Sequence, residues 1–265
     1  MISKLKKDLE PTIYALLREN YLQNPYLYID AITEGFATEN IETWVIKAEE
    51  AIYGVLYQYY NSLQICFFAN DIKKQADIIA EFIKQKNYEM VSGRADIITC
   101  IAQKLPMYIS SFGEILSKSP KIENRSYDIK AEIATAEECN EIAQLICSDQ
   151  NIGGHYTVEN LEKQLRDRMH RWDCINMIIR MEGKIVSHMA TYANCDEFAV
   201  LGGLVTERTH RGKGYGRQII SELTQKVTRD GKQPILYCYD KNTIRWYNSM
   251  NWKTVMHCGK LEKRR

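Results

Sequence analysis

The residues best equipped to do chemistry lie between Leu204 and Arg217, in the run Leu-Val-Thr-Glu-Arg-Thr-His-Arg-Gly-Lys-Gly-Tyr-Gly-Arg. An apolar strand ends at Thr206, a short polar loop follows, and Gly212, Gly214 and Gly216 open an amphipathic helix. The first amides of a helix have no intrahelical acceptor, and the helix dipole favours negative charge there. Glycines let an anion approach the main chain closely, and Arg211, Lys213 and Arg217 add positive charge. The chemistry implied is an anion cradle that a pyrophosphate could approach.

The spacing excludes two other phosphate loops. A P-loop needs Ser or Thr after its lysine, and Gly214 follows Lys213. A dinucleotide fingerprint needs G-x-G-x-x-G, whereas Gly212, Gly214 and Gly216 fall at every second position. No metal is expected: the eight cysteines are scattered, with no C-x-x-C pair and no Cys/His cluster at zinc spacing. They read as reduced, mostly buried thiols of a cytoplasmic protein.

The elements that must position the loop are legible on either side of it. Residues 127–133 read as a strand. Thr135 opens a helix to Cys147, with Glu138 completing a capping box, and a second helix covers about 157–171. Strands at 174–181, 184–193 and 198–206 precede the helix 214–229, which turns Ile219, Ile220, Leu223 and Val227 inward. A strand at 234–239, a helix at 242–250 and a strand at 252–258 complete the order. The class is mixed α/β, and the strand-helix-strand unit over 198–239 predicts a right-handed parallel crossover. The polar, patternless run 118–126 marks a boundary between a domain at 1–124 and one at 125–265.

Two runs carry a family resemblance. Arg211-x-x-Gly214-x-Gly216 resembles the R/Q-x-x-G-x-G/A signature of the GNAT superfamily of N-acetyltransferases, and Ile244–Trp252 is similar to its second signature, a Tyr-bearing helix followed by Gly-Phe. The likeness extends over 127–265 in element order and is motif-specific over about 204–217 and 240–252. It implies the GNAT fold, with a central mixed, mostly antiparallel sheet, and acetyl-CoA as co-substrate without a metal. It implies that main-chain groups of Leu204, Val205 and Thr206 pair with the pantetheine arm, and that the amides from Arg211 through Gly212, Lys213, Gly214, Tyr215 and Gly216 hold the pyrophosphate, with the Arg217 side chain nearby. Asp240 stands where relatives commonly have an Asn that touches the pantetheine, and Tyr247 aligns with the tyrosine that protonates the departing thiolate.

That last role has a chemical rationale. Aminolysis of a thioester needs a neutral amine, a polarised carbonyl and a proton for a sulfur whose conjugate acid has a pKa of about 8.5. The sequence departs from the family at Arg208, His210 and Asn251-Trp252, none of which removes a phosphate contact. Asp240 is the weightier departure, since a carboxylate donates nothing unless protonated. No single general base stands out among Asp196, Glu197, Glu207 and His188, and Tyr239 with Asp240 forms another acceptor-side pair.

The first half holds a helix near 4–20 interrupted at Pro11, three strands within 43–69, and helices at 71–86 and 94–104. It has no counterpart of the glycine-rich loop, and resembles a degenerate, smaller lobe of the same fold that shapes the acceptor side. A net charge of +1 argues against nucleic acid as partner, and no stretch has the length of a membrane span or an apolar signal core. The partner expected is a small-molecule or peptide amine, and a homodimer is left open. The rival from another class is a non-catalytic acyl-CoA sensor.

Overall fold

The computed structural model describes residues 1–49, 51–69, 72–119, 129–154, 156–172 and 174–264. Along the chain come β1 (Ile2–Lys4), α1 (Glu10–Glu19), α2 (Pro25–Glu34), β2 (Ile41–Ala48), β3 (Ala51–Tyr59) and β4 (Ser62–Phe67). Then follow α3 (Ala76–Lys86), β5 (Met90–Arg94), α4 (Ala95–Ala102), β6 (Tyr108–Lys118) and β7 (Glu132–Ile133). Next are α5 (Cys139–Cys147), α6 (Gln150–Gly153), α7 (Val158–Trp172), β8 (Asn176–Met181), β9 (Lys184–Asn194) and β10 (Phe198–Thr206). The chain closes with α8 (Tyr215–Arg229), β11 (Gln233–Cys238), α9 (Lys241–Asn248) and β12 (Trp252–Lys263). The class is mixed α/β, with mostly antiparallel strands, as the sequence implies.

Two compact units form: Met1–Leu116 together with Cys238–Arg265, and Ser117–Tyr237. The expected division at 124/125 follows chain order, and the polar run that marked it lies outside the described residues from 120 to 126. The compact units follow contacts instead. β12 joins the first unit by antiparallel pairing with β5, from Cys258↔Arg94 to Glu262↔Met90. Its apolar residues say that it is a strand, and nothing local says which strand it meets.

In the first unit β2, β3 and β4 form the expected meander. α3 buries Ala76, Ile79, Ala80 and Ile83 on the way to β5, which runs parallel to β4. Around them Leu56, Ile65, Phe67, Ile98 and Leu261 are fully enclosed. Pro11 does not interrupt a helix: it stands in the first turn of α1, where its missing N–H has no partner to lose.

In the second unit the sheet runs β11-β10-β9-β8-β7, parallel at β10/β11 and antiparallel elsewhere. The Thr135/Glu138 capping box forms as expected ahead of α5. α5 and α7 share a core with Ile178, Ile185 and Val205 that contains no residue of α8. α8 packs on β8, β9 and β10, so it covers the other face. Of the strand expected at 127–133, only Glu132–Ile133 forms among the described residues, residues 129–131 are not strand, and 127 and 128 lie outside the described residues.

Candidate functional site

β10 is the strand that makes the site. It pairs with β11 only from Phe198↔Gln233 to Leu201↔Leu236, and then continues to Thr206. On its other side the register to β9 jumps from Gly202↔Ala190 to Val205↔His188, so Gly203 and Leu204 together oppose the single residue Met189. This is a bulge, and Gly203 takes φ 66° within it. The Gly203 carbonyl accepts a hydrogen bond from His188 Nδ1 at 3.0 Å. Ser187 Oγ donates to the Val205 carbonyl at 3.1 Å, and Arg211 Nε donates to the Thr206 carbonyl at 2.9 Å. Each carbonyl keeps a second lone pair for another donor.

Beyond β10 the loop is braced before the helix begins. A single 3-10 turn over Arg208–His210 brings His210 Nδ1 to 2.6 Å from the Glu207 carboxylate. Arg211 reaches from the Thr206 carbonyl to Asp149, with Nη2 2.6 Å from the carboxylate. Its guanidinium thus holds the loop in shape, and Asp149 offsets part of its charge. Gly212 and Gly214 take φ 76° and 91°, and a Cβ on either would stand in open space. Gly214 is the N-cap of α8 and has no side-chain cap, so the amides of Tyr215, Gly216 and Arg217 open the helix. Lys213 is exposed beside them, and the buried Tyr215 ring tilts against His210 at 6.3 Å, so Tyr215 offers the site its amide only. Donors, open space and local cations fit a pyrophosphate.

Asp240 and Tyr247 belong to the first unit. Asp240 is the N-cap of α9: its Oδ1 accepts from the Thr243 amide and hydroxyl, each at 2.7 Å. Those hydrogen bonds hold its carboxyl below the usual range, so it carries no proton to donate. This explains the aspartate, a strong capping residue, and leaves its side chain no donor role toward a pantetheine. Tyr247 is buried on α9, its ring 5.0 Å from that of Trp246 and 5.9 Å from that of Trp252. Burial, followed by the nearby Cys238, pushes its phenol up from the ordinary value. Among the described residues its hydroxyl has no hydrogen-bond partner. Asn251 takes the left-handed conformation, φ 65°, that allows it to stand for the family's glycine.

Of the general-base candidates, His188 is fully enclosed and both ring nitrogens are engaged. Burial lowers it to about 4, so the ring is neutral, with its one N–H on Nδ1 toward Gly203. Nε2, 2.9 Å from the Asn176 amide, then accepts from the NH2 once that amide is turned. Glu207 is paired to His210. Asp196 is exposed. Among the described residues no group of His, Cys, Asp and Glu could hold a metal, and no helix is long and apolar enough to cross a membrane. Sequence reasoning missed Asp149, Ser187, Asn176 and Tyr192, which reach β10 and its loop from other elements and carry no local signal.

Comparison with known proteins agrees with this fold. Residues 181–259 match the model of the FR47-like protein family. An acetyltransferase of the GNAT family from Colwellia psychrerythraea superposes over 100% of both chains, with TM-score 0.64 and 13% identity. A GCN5-related N-acetyltransferase from Sphaerobacter thermophilus covers 99% of this chain and 95% of its own, with TM-score 0.66 and 12% identity. A tandem GNAT protein from the clavulanic acid biosynthesis pathway covers 98% and 97%, with TM-score 0.60 and 8% identity. No curated protein matches the sequence. The chain therefore has the fold of GNAT acyltransferases, and its residues 181–259 are similar to the FR47-like family.

Proposed function

We propose that the protein is an N-acetyltransferase that moves an acetyl group from acetyl-CoA to a primary amine by direct attack within a ternary complex. The observation that carries the reading is the splayed strand feeding a glycine-opened helix: β10 backbone that has parted from β11 between Gly202 and Thr206, then a cradle at Arg211–Arg217. Amides of the cradle bind the pyrophosphate, and main-chain groups at Leu204, Val205 and Thr206 orient the pantetheine arm. The amine nitrogen bonds to the acetyl carbon, the carbon–sulfur bond breaks, and Tyr247 gives its proton to the sulfur. The amine, a small molecule or a peptide, loses its proton to solvent or to a base not yet assigned. The activity is proposed for the cytoplasm.

A second reading, an acyl-CoA sensor without turnover, draws on Asp240, which is ionised and engaged as the cap of α9, and on His188, whose ring is sealed in the core. A panel of amines separates the two: release of free CoA favours the enzyme, and tight binding without release favours the sensor. The shared acyl-CoA site is tested by Gly214→Asp. Aspartate tolerates the left-handed conformation there, so the loop should survive with a carboxylate against the pyrophosphate. Calorimetry with acetyl-CoA should show a sharp loss of affinity, and unchanged affinity removes the site.

A further inference from the structure

We infer that Tyr192 sets the length of the acyl chain the site accepts, its ring forming the wall at the closed end of the splayed strand. The inference rests on the acyl-CoA reading of the cradle and adds the substrate limit that reading leaves open.

Tyr192 is aimed by a second irregularity between β9 and β10. Val200 pairs with Ala193 and Leu201 with Thr191, which leaves Tyr192 as the extra, unopposed residue on β9. A bulge of this kind re-aims a side chain. The ring lies on the two glycines of β10: a Cβ on Gly202 would meet it at 2.9 Å, and one on Gly203 would overlap its hydroxyl. Arg168 of α7 covers the ring from behind, its guanidinium carbon 4.6 Å from the centroid. A cation held over an aromatic face keeps the ring from swinging away. Burial raises the Tyr192 phenol, so it stays neutral.

The position matters because of where the strand pairing stops. An extended arm laid along β10 from Thr206 advances about 3.3 Å per residue toward Gly202. It can go no further in the plane of the sheet, since β11 occupies the next place through Leu201↔Leu236. The acyl group must therefore leave the sheet plane at Gly202–Gly203. One face is covered by α8, and the other carries Tyr192, held by Arg168 of α7. A two-carbon group ends before the ring, whereas a longer chain runs into a wall with a charged backing.

The test needs no knowledge of the amine. Binding of CoA, acetyl-CoA, butyryl-CoA and hexanoyl-CoA is measured by calorimetry with the wild-type chain and with Tyr192→Ala and Tyr192→Phe. The wild type should bind hexanoyl-CoA at least about tenfold more weakly than acetyl-CoA, the scale of discrimination set by methylenes in a closed pocket. Tyr192→Phe should keep that ladder, because the ring and not the hydroxyl is the wall. Tyr192→Ala should bring hexanoyl-CoA to within about threefold of acetyl-CoA. Tyr192→Leu, which retains apolar packing, replaces it if the alanine variant does not fold. A flat wild-type ladder, a ladder lost in Tyr192→Phe, or one kept in Tyr192→Ala overturns the inference. Failure to bind CoA itself overturns the acyl-CoA site as well, which separates the two failures.

Discussion

A phenol can protonate a thiolate only while it still holds its own proton, and Tyr247 is kept protonated by burial between two tryptophan rings. Its hydroxyl, unpaired among the described residues, is committed to no acceptor in the fold. Tyr247→Phe should therefore leave acetyl-CoA affinity nearly intact and lower turnover by about 10²–10⁴, the usual worth of a general acid. Equal turnover, once single-turnover kinetics show chemistry to be rate-limiting, reduces Tyr247 to packing. Two other buried groups make a statement about pH. His188 sits at about 4 in the native protein against an ordinary 6.5, because burial disfavours its charged form. Between those values the unfolded chain holds the extra proton, so this group makes stability fall as pH drops. Asp30 is raised to about 6 from 3.8, by burial first and Glu34 last, against a lowering hydrogen bond from Gln64. Between its two values the native chain holds the extra proton, so this group makes stability fall as pH rises. The two slopes oppose each other over about pH 4–6. Urea midpoints across that range should fall more steeply toward acid in Asp30→Asn than in the wild type, and His188→Asn should reverse that trend. Parallel curves for all three proteins contradict the assignment.

At the scale of elements, what could be read from sequence was what neighbours in the chain decide. The capping box at Thr135/Glu138 and the start of α8 at Gly214 both depend on residues within one turn. The start of α7 is equally local, with Thr157 Oγ1 accepting from the Asn160 amide. Elements were missed where local signals conflict with burial. α2 opens at Pro25, so a reading by periodicity passes over it, yet Leu27, Tyr28, Ile29 and Ala31 are all buried. β6 holds Ser110, Ser111 and Gly113 among its apolar residues, which breaks the alternation of an ordinary strand. The irregularities of β10 were beyond reach for a different reason. A bulge is a relation between two strands, and neither Gly203 nor Tyr192 announces it alone. The glycines of the cradle were legible because their helix follows directly. The glycine pair at 202–203 was not, because its meaning lies in a ring ten residues upstream in the chain and on another strand.

Across the whole molecule, the first unit repeats the strand-helix-strand step of the second without its chemistry. β4, α3 and β5 form a parallel crossover with register Ser62↔Met90 to Gln64↔Ser92, the same connection that β10, α8 and β11 make. The difference lies where each strand feeds its helix. No glycine occurs between Gly54 and Gly93, so side chains stand wherever the main chain would have to approach a phosphate. The first turn of α3 carries Asp77, whose carboxylate is 2.5 Å from the Lys104 amine, and negative charge at that place repels an anion. In α8 the first turn has no acidic residue, and Gly214 begins it in the left-handed conformation. Removing a pyrophosphate from water without replacement donors is unfavourable by several kcal/mol or more, of order the desolvation of any unpaired charge. The 265-residue chain should accordingly bind one acetyl-CoA. Equilibrium dialysis with labelled acetyl-CoA at saturating concentration measures the ratio directly, and Gly214→Asp should take it from one toward zero. A ratio of two in the wild type, falling to one in that variant, would mean that the first unit holds acyl-CoA by a different set of donors.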